Sequence, residues 1–189
     1  MSSSTMLRQV KKWKLIAASI SIGLTTLLLG LWLSFRVDPN ATDDEKRAQI
    51  EDFYNISSVQ FSGISEISAH ELKEKVDQYV LVDVRTAEEQ SVSMLPGAIT
   101  QEEFEKNKEA FRGKPVVTYC TIGYRSGLFA KQLGNDWDVA NLRGSILSWC
   151  HAGGRLVSGD DSQSPEETKR VHIYSKQWNL LPKGYEAVW

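Results

Sequence analysis

Histidine and cysteine are scarce in this chain of 189 residues: His70, His151 and His172 are the only imidazoles, Cys120 and Cys150 the only thiols. No histidine stands at metal-ligand spacing from either thiol, so the sequence offers no metal site. Internal repeats and low-complexity tracts are also missing, and the length leaves room for one medium domain plus something short. A cationic excess is missing from most of the chain as well. Residues 1–36 carry Arg8, Lys11, Lys12, Lys14 and Arg36 without an acid, a sum of +5. The remainder holds 17 Lys and Arg against all 24 Asp and Glu, a sum of −7. So acidic a part argues against nucleic acid as a partner, which needs a cationic footprint.

Charge is absent altogether from Leu15 to Phe35, the 21 residues LIAASISIGLTTLLLGLWLSF. As a helix this run is about 31 Å long, against a hydrocarbon core of roughly 30 Å. A cleaved signal peptide would have an apolar region of about 7–15 residues and a small-residue cleavage site. Here the run is longer and LWLSFRVDP supplies no Ala-x-Ala end, so residues 15–35 are expected to be an uncleaved transmembrane helix. Four of the five cations precede it in RQVKKWK, which places residues 1–14 in the cytoplasm and the rest on the non-cytoplasmic side.

Residues 36–58 are polar and acidic and read as a stalk, with a short helix expected around Glu45–Phe53. From residue 59 to 155 strand and helix signals alternate. Ser68 heads AHELKEKV with Glu71 placed for a capping box. YVLVDVR is an apolar run suited to a strand buried on both faces. A helix from TAEEQ, a brief AIT strand after Pro96-Gly97, and the surface helix QEEFEKNKEAF follow. VVTYC is the next strand, SGLFAKQLG a helix, DVANLRG the last strand and SILSWCHAGG a closing helix. This alternation predicts an open parallel α/β sheet with helices on both faces. Residues 156–189 are rich in Trp, Tyr and Leu, unlike a disordered tail, and are expected to pack back on the domain.

VVTYCTIGYRSG, residues 116–127, concentrates the chemistry. In parallel α/β sheets ligands collect at the carboxyl ends of strands, which is where Cys120 falls. The following residues lead into a helix, so their N–H groups and the positive end of the helix dipole can stabilise an anion. Gly123 permits a tight curve, Arg125 adds a positive charge and Ser126 a hydroxyl. Together they push the thiol toward its nucleophilic thiolate.

LVDVR at 81–85, LPGAI at 95–99, CTIGYRSG at 120–127 and NLRGSILSW at 141–149 occur in the order found in rhodanese-like domains, which residues 60–155 resemble. The resemblance implies a five-stranded parallel sheet and a sulfurtransferase that carries a sulfane sulfur as a persulfide on Cys120. It requires no metal or organic cofactor; its partners would be a small sulfur-donor anion such as thiosulfate and a thiol acceptor. Thr121, Ile122, Gly123, Tyr124, Arg125 and Ser126 would bind the donor and the outer sulfur, with Arg125 orienting the anion. Phosphatases of related architecture place one residue more between Cys and Arg, which makes phosphatase or arsenate reductase chemistry the lesser alternative. A binding or redox-sensing module tethered to the membrane is the rival class.

Asp83 and Arg85 match the family's Asp-x-Arg and are read as structural support, Arg85 pairing with Glu88 or Glu89. Many relatives have a histidine where this chain has Met94. Cys150 is read first as a buried hydrophobe and alternatively as a thiol that resolves an oxidised Cys120. His151 is the histidine best placed to approach the site, and Trp149, Trp178 and Trp189 are read as packing residues.

Overall fold

A computed structural model describes residues 38, 40–158 and 166–189. The expected cytoplasmic segment 1–14 and transmembrane helix 15–35 lie outside them. Among the described residues no helix is long and apolar enough to cross a membrane.

Five short strands form one parallel sheet: β1 (Ser65–Ile67), β2 (Val80–Asp83), β3 (Ile99–Thr100), β4 (Val116–Tyr119) and β5 (Val139–Leu142). Their spatial order is β1-β5-β4-β2-β3, with Val117 opposite Leu81 on one side and Ala140 on the other. Side chains alternate between faces along a strand. Val82, Val116 and Val139 therefore share one face, where they pack with Phe104, Phe129, Ala130 and Leu133. Leu81, Val117 and Tyr119 point the other way and are buried too. Continuous burial explains why these strands read as unbroken β-formers rather than as alternating patterns.

Each crossover helix starts where a side chain supplies the missing acceptor. Ser68 Oγ accepts from Glu71 N at the head of a helix we label α2 (Ala69–Lys75), after α1 (Asp43–Ser58). The reciprocal half of the expected capping box is not made there; the Glu71 carboxylate instead accepts from Lys75 Nζ at 3.1 Å. Full capping boxes occur at Thr42/Glu45, Thr86/Glu89 and Thr100/Glu103, opening α1, α3 (Ala87–Val92) and α4 (Gln101–Lys106). The remaining helices are α5 (Tyr124–Leu133) and α6 (Ser145–His151).

The stalk reading of residues 36–58 needs correction from residue 43 onward. α1 spans 16 residues, and Ile50 and Tyr54 are fully buried. Its polar composition hid this, because so few of its residues face inward. The aromatic C-terminal segment meets the same helix: Phe53 and Trp178 rings lie edge-to-face at 5.0 Å, and Lys46 Nζ donates to Leu181 O at 2.8 Å. Within that segment β8 (Arg170–His172) pairs in parallel with β9 (Glu186–Val188), while β6 (Leu156–Val157) and β7 (Glu167–Thr168) form an antiparallel pair. Val171, Ile173, Leu180 and Leu181 are buried.

Candidate active site

β4 is the central strand, and Cys120 follows its last residue. Its peptide N–H donates to Ser145 Oγ at 3.0 Å and its carbonyl accepts from Ile146 N at 3.2 Å, so α6 pins the strand end. The chain then turns through Gly123, whose φ of +111° suits a residue without Cβ, and enters α5. Gly123 N donates to Cys120 Sγ at 3.1 Å. Ser126 Oγ lies 3.5 Å from the sulfur and Ser145 Oγ 4.0 Å. Burial pushes the thiol up, since a charged sulfur loses its water. Hydrogen bonding from Ser126, the Arg125 charge and the Gly123 N–H outweigh this and hold it below the ordinary range. The result is a buried thiol primed to ionise.

Arg125 does not wait for an anion with its fork open. Its Nη1 and Nη2 donate to Glu89 Oε2 and Oε1, each at 2.7 Å, and Nη2 also donates to Thr121 Oγ1 at 3.0 Å. Thr121 Oγ1 in turn donates to Glu89 Oε1 at 2.9 Å. Burial pushes the Glu89 carboxyl up, but the bonds from Arg125, Thr86 N and Thr121 and the Arg125 charge hold it at about 2. Glu89 is thus a carboxylate, 1% exposed, bound both to the head of α3 and to the loop after Cys120. The guanidinium still lies close enough to favour negative charge on Cys120.

The expected pairing of Arg85 with Glu88 or Glu89 is therefore wrong. Arg85 pairs with Asp83, two residues back on the same side of an extended chain: Nε donates to Oδ1 at 3.0 Å and Nη2 to Oδ2 at 2.7 Å. Nη2 also reaches Ser93 O, and the guanidinium lies over the Tyr119 ring at 5.7 Å. Both side chains are fully buried and hold the end of β2.

Within the loop, Ile122 is partly buried and Tyr124 is 44% exposed beside the site. Cys150 is also a free thiol. Burial pushes it up to about 12, and the polar side chain bonded to it is Tyr185. His151 does not approach the loop: its Nε2 donates to Leu180 O at 2.8 Å and fastens the C-terminal segment. Trp149 donates to Arg155 O and packs. Met94 exchanges backbone bonds with Val157.

Three contributors were missed in the sequence: Glu89, Ser145 and Asn141. Glu89 carried a signal, the Thr86-x-x-Glu89 spacing that turns its carboxylate back toward the strand end. Asn141 carried another, as an amide inside an apolar strand. Asn141 Nδ2 donates to Gly123 O at 2.9 Å, and Oδ1 accepts from Ser126 Oγ at 2.7 Å.

The architecture is an open parallel α/β sheet with a buried thiol just past the carboxyl end of its middle strand, next to a helix N-terminus. Residues 68–152 match the family model of the rhodanese-like domain. Over 94 residues the chain is 36% identical to the tRNA sulfurtransferase of Desulfurococcus amylolyticus, covering 47% of this chain and 19% of that one. The chain thus spans about a fifth of that curated relative. Among solved structures, a rhodanese-related protein from Thermoplasma volcanium is 27% identical with a TM-score of 0.43, the match covering 49% of this chain and 97% of that one. The thiosulfate sulfurtransferase of Pseudomonas aeruginosa is 22% identical with a TM-score of 0.48, over 58% of this chain and 23% of that one.

Proposed function

We propose that the domain is a sulfurtransferase that carries sulfur as a persulfide on Cys120. The observation that carries this reading is the Gly123 N–H donating at 3.1 Å to a buried sulfur held below its ordinary pKa. With thiosulfate as donor, the Cys120 thiolate attacks the outer sulfur and forms an S–S bond. The donor's own S–S bond breaks, and sulfite leaves with the electron pair. The enzyme then bears one extra sulfur and one negative charge. An acceptor thiolate attacks that outer sulfur, takes it as a new persulfide and returns Cys120 to thiolate. One hard transfer is split into two easier ones. The Gly123 and Ser126 donors at the head of α5 stabilise the charge on the sulfur during both steps. Arg125, tied to Glu89, acts chiefly by its charge.

Mass spectrometry after incubation with thiosulfate tests this: one added sulfur on Cys120, removed by a thiol, is the expected result. Unmodified Cys120 under conditions where the protein is folded defeats it. The uncharged run at 15–35, with its cationic flank, supports a single-pass anchor holding the domain outside the cytoplasm. Protein that alkaline carbonate releases from membranes contradicts that placement.

A further inference from the structure

Tyr54 lies outside the segment 68–152 that matches the rhodanese-like model, yet it sits directly against the Cys120 loop. Its ring is fully buried on α1, and a Cβ placed on Gly123 would fall 2.5 Å from Tyr54 Cε2. The ring thus lies against the residue whose N–H donates to the sulfur. The Tyr54 hydroxyl accepts from Asn141 Nδ2 at 3.1 Å and donates toward Glu66. Glu66 also receives Arg143 Nη1 at 2.7 Å, and the Arg143 guanidinium covers the Tyr54 ring at 4.9 Å.

These bonds give the Asn141 amide one orientation. Nδ2 has two acceptors, Tyr54 Oη and Gly123 O, and Oδ1 has one donor, Ser126 Oγ. A flipped amide would set Oδ1 against the Gly123 carbonyl, acceptor to acceptor. Gly123 and Ser126 are the two loop residues whose peptide N–H groups face the sulfur, while the Ser126 hydroxyl proton goes to Asn141.

We infer that Tyr54 is a positioning residue for Cys120: through Asn141 it holds Gly123 and Ser126 within hydrogen-bonding reach of the thiol. The inference rests on Cys120 acting as the nucleophile. Without the tyrosine hydroxyl, Asn141 keeps Gly123 O and Ser126 Oγ as partners but loses its hydrogen bond to α1, so the amide and the loop it holds are fixed less firmly. Gly123 and Ser126 then donate less well, and the thiolate is favoured less. Chemistry after ionisation is untouched, so the loss lies in the thiolate fraction. Among charged groups, Glu66 and Arg143 face Tyr54, and Arg125 with its partner Glu89 faces Cys120.

The test is the pH profile of Cys120 alkylation by iodoacetamide in the full chain, read at that residue by mass spectrometry. Tyr54→Phe, which keeps the ring, is compared with wild type, Asn141→Ala and the double variant. The expected result is a midpoint about one pH unit higher in Tyr54→Phe, about a tenfold slower reaction well below it, and an unchanged high-pH plateau. The double variant should shift no further than Asn141→Ala alone. An unshifted midpoint in folded Tyr54→Phe, or additive shifts, overturns the inference. If Tyr54→Phe loses cooperative unfolding, Glu66→Gln tests the same chain from its outer end: a smaller upward shift supports it and no shift overturns it. Wild-type protein that gains no sulfur from thiosulfate defeats the underlying function. Wild-type persulfidation with an unmoved Tyr54→Phe profile defeats only the role of Tyr54.

Discussion

Cys120 and Cys150 are equally hidden, 1% and 2% exposed, yet one is held below the ordinary thiol range and the other is pushed up to about 12. Burial acts on both in the same direction, because removing water disfavours a charged sulfur. The difference lies in what replaces the water. Cys120 stands where β4 hands over to α5, and the first turn of a helix has N–H groups without internal partners. Cys150 lies within α6, near that helix's end, and Tyr185 is the polar side chain beside its sulfur. Arg85 also reaches Cys150 electrostatically, but its charge is matched by Asp83. Free donors, not depth, decide the acidity of a thiol here.

The largest effect expected from this contrast is at the sulfur itself. Cys120→Ser should abolish persulfide formation, a loss of more than about a thousandfold in transfer rate, while Cys150→Ser should stay within about threefold of wild type. Loss of transfer in Cys150→Ser would break the contrast and make Cys150 part of the cycle. Arg125→Ala comes next. It strands the Glu89 carboxylate, so chemical denaturation should show a loss of about 3 kcal/mol, and Cys120 alkylation should shift to higher pH. Unchanged stability would mean that the Glu89–Arg125 bonds contribute little.

The smaller effect is acid sensitivity. Glu89 is held at about 2 in the folded chain, below its unfolded value of about 4.5. Its contribution is present in full above the unfolded value and is lost as pH falls toward 2. Thermal melts between pH 5 and 2 should therefore decline less steeply in Glu89→Gln than in wild type. Parallel declines would remove Glu89 as the source.

Much of this was legible residue by residue. VLVD and VVTY announced buried strands, TAEEQ and QEEFEK announced two crossover helices, and the loop after VVTYC announced where the backbone turns from strand into helix. Each of those signals is local, because capping, strand burial and loop curvature involve neighbours in the chain. The ion pairs were less legible. The Arg85–Asp83 pair is local and was overlooked, but nothing local says that Glu89 meets Arg125, 36 positions away. α1 was read as a stalk because a polar helix with only Ile50 and Tyr54 buried has almost no apolar stripe.

The sequence by itself determined the alternation of strands and helices, the placement of Cys120 at a strand's carboxyl end, and the donors that follow it in the loop. Tertiary structure alone decided which charges meet and what stands behind the loop. It brought Glu89 to Arg125 and set Tyr54 of α1 against Gly123, with Asn141 between them. The physical reason is range: a cap or a turn is made by residues a few positions apart, whereas the partner of a buried charge is chosen by whichever surfaces the folded layers press together.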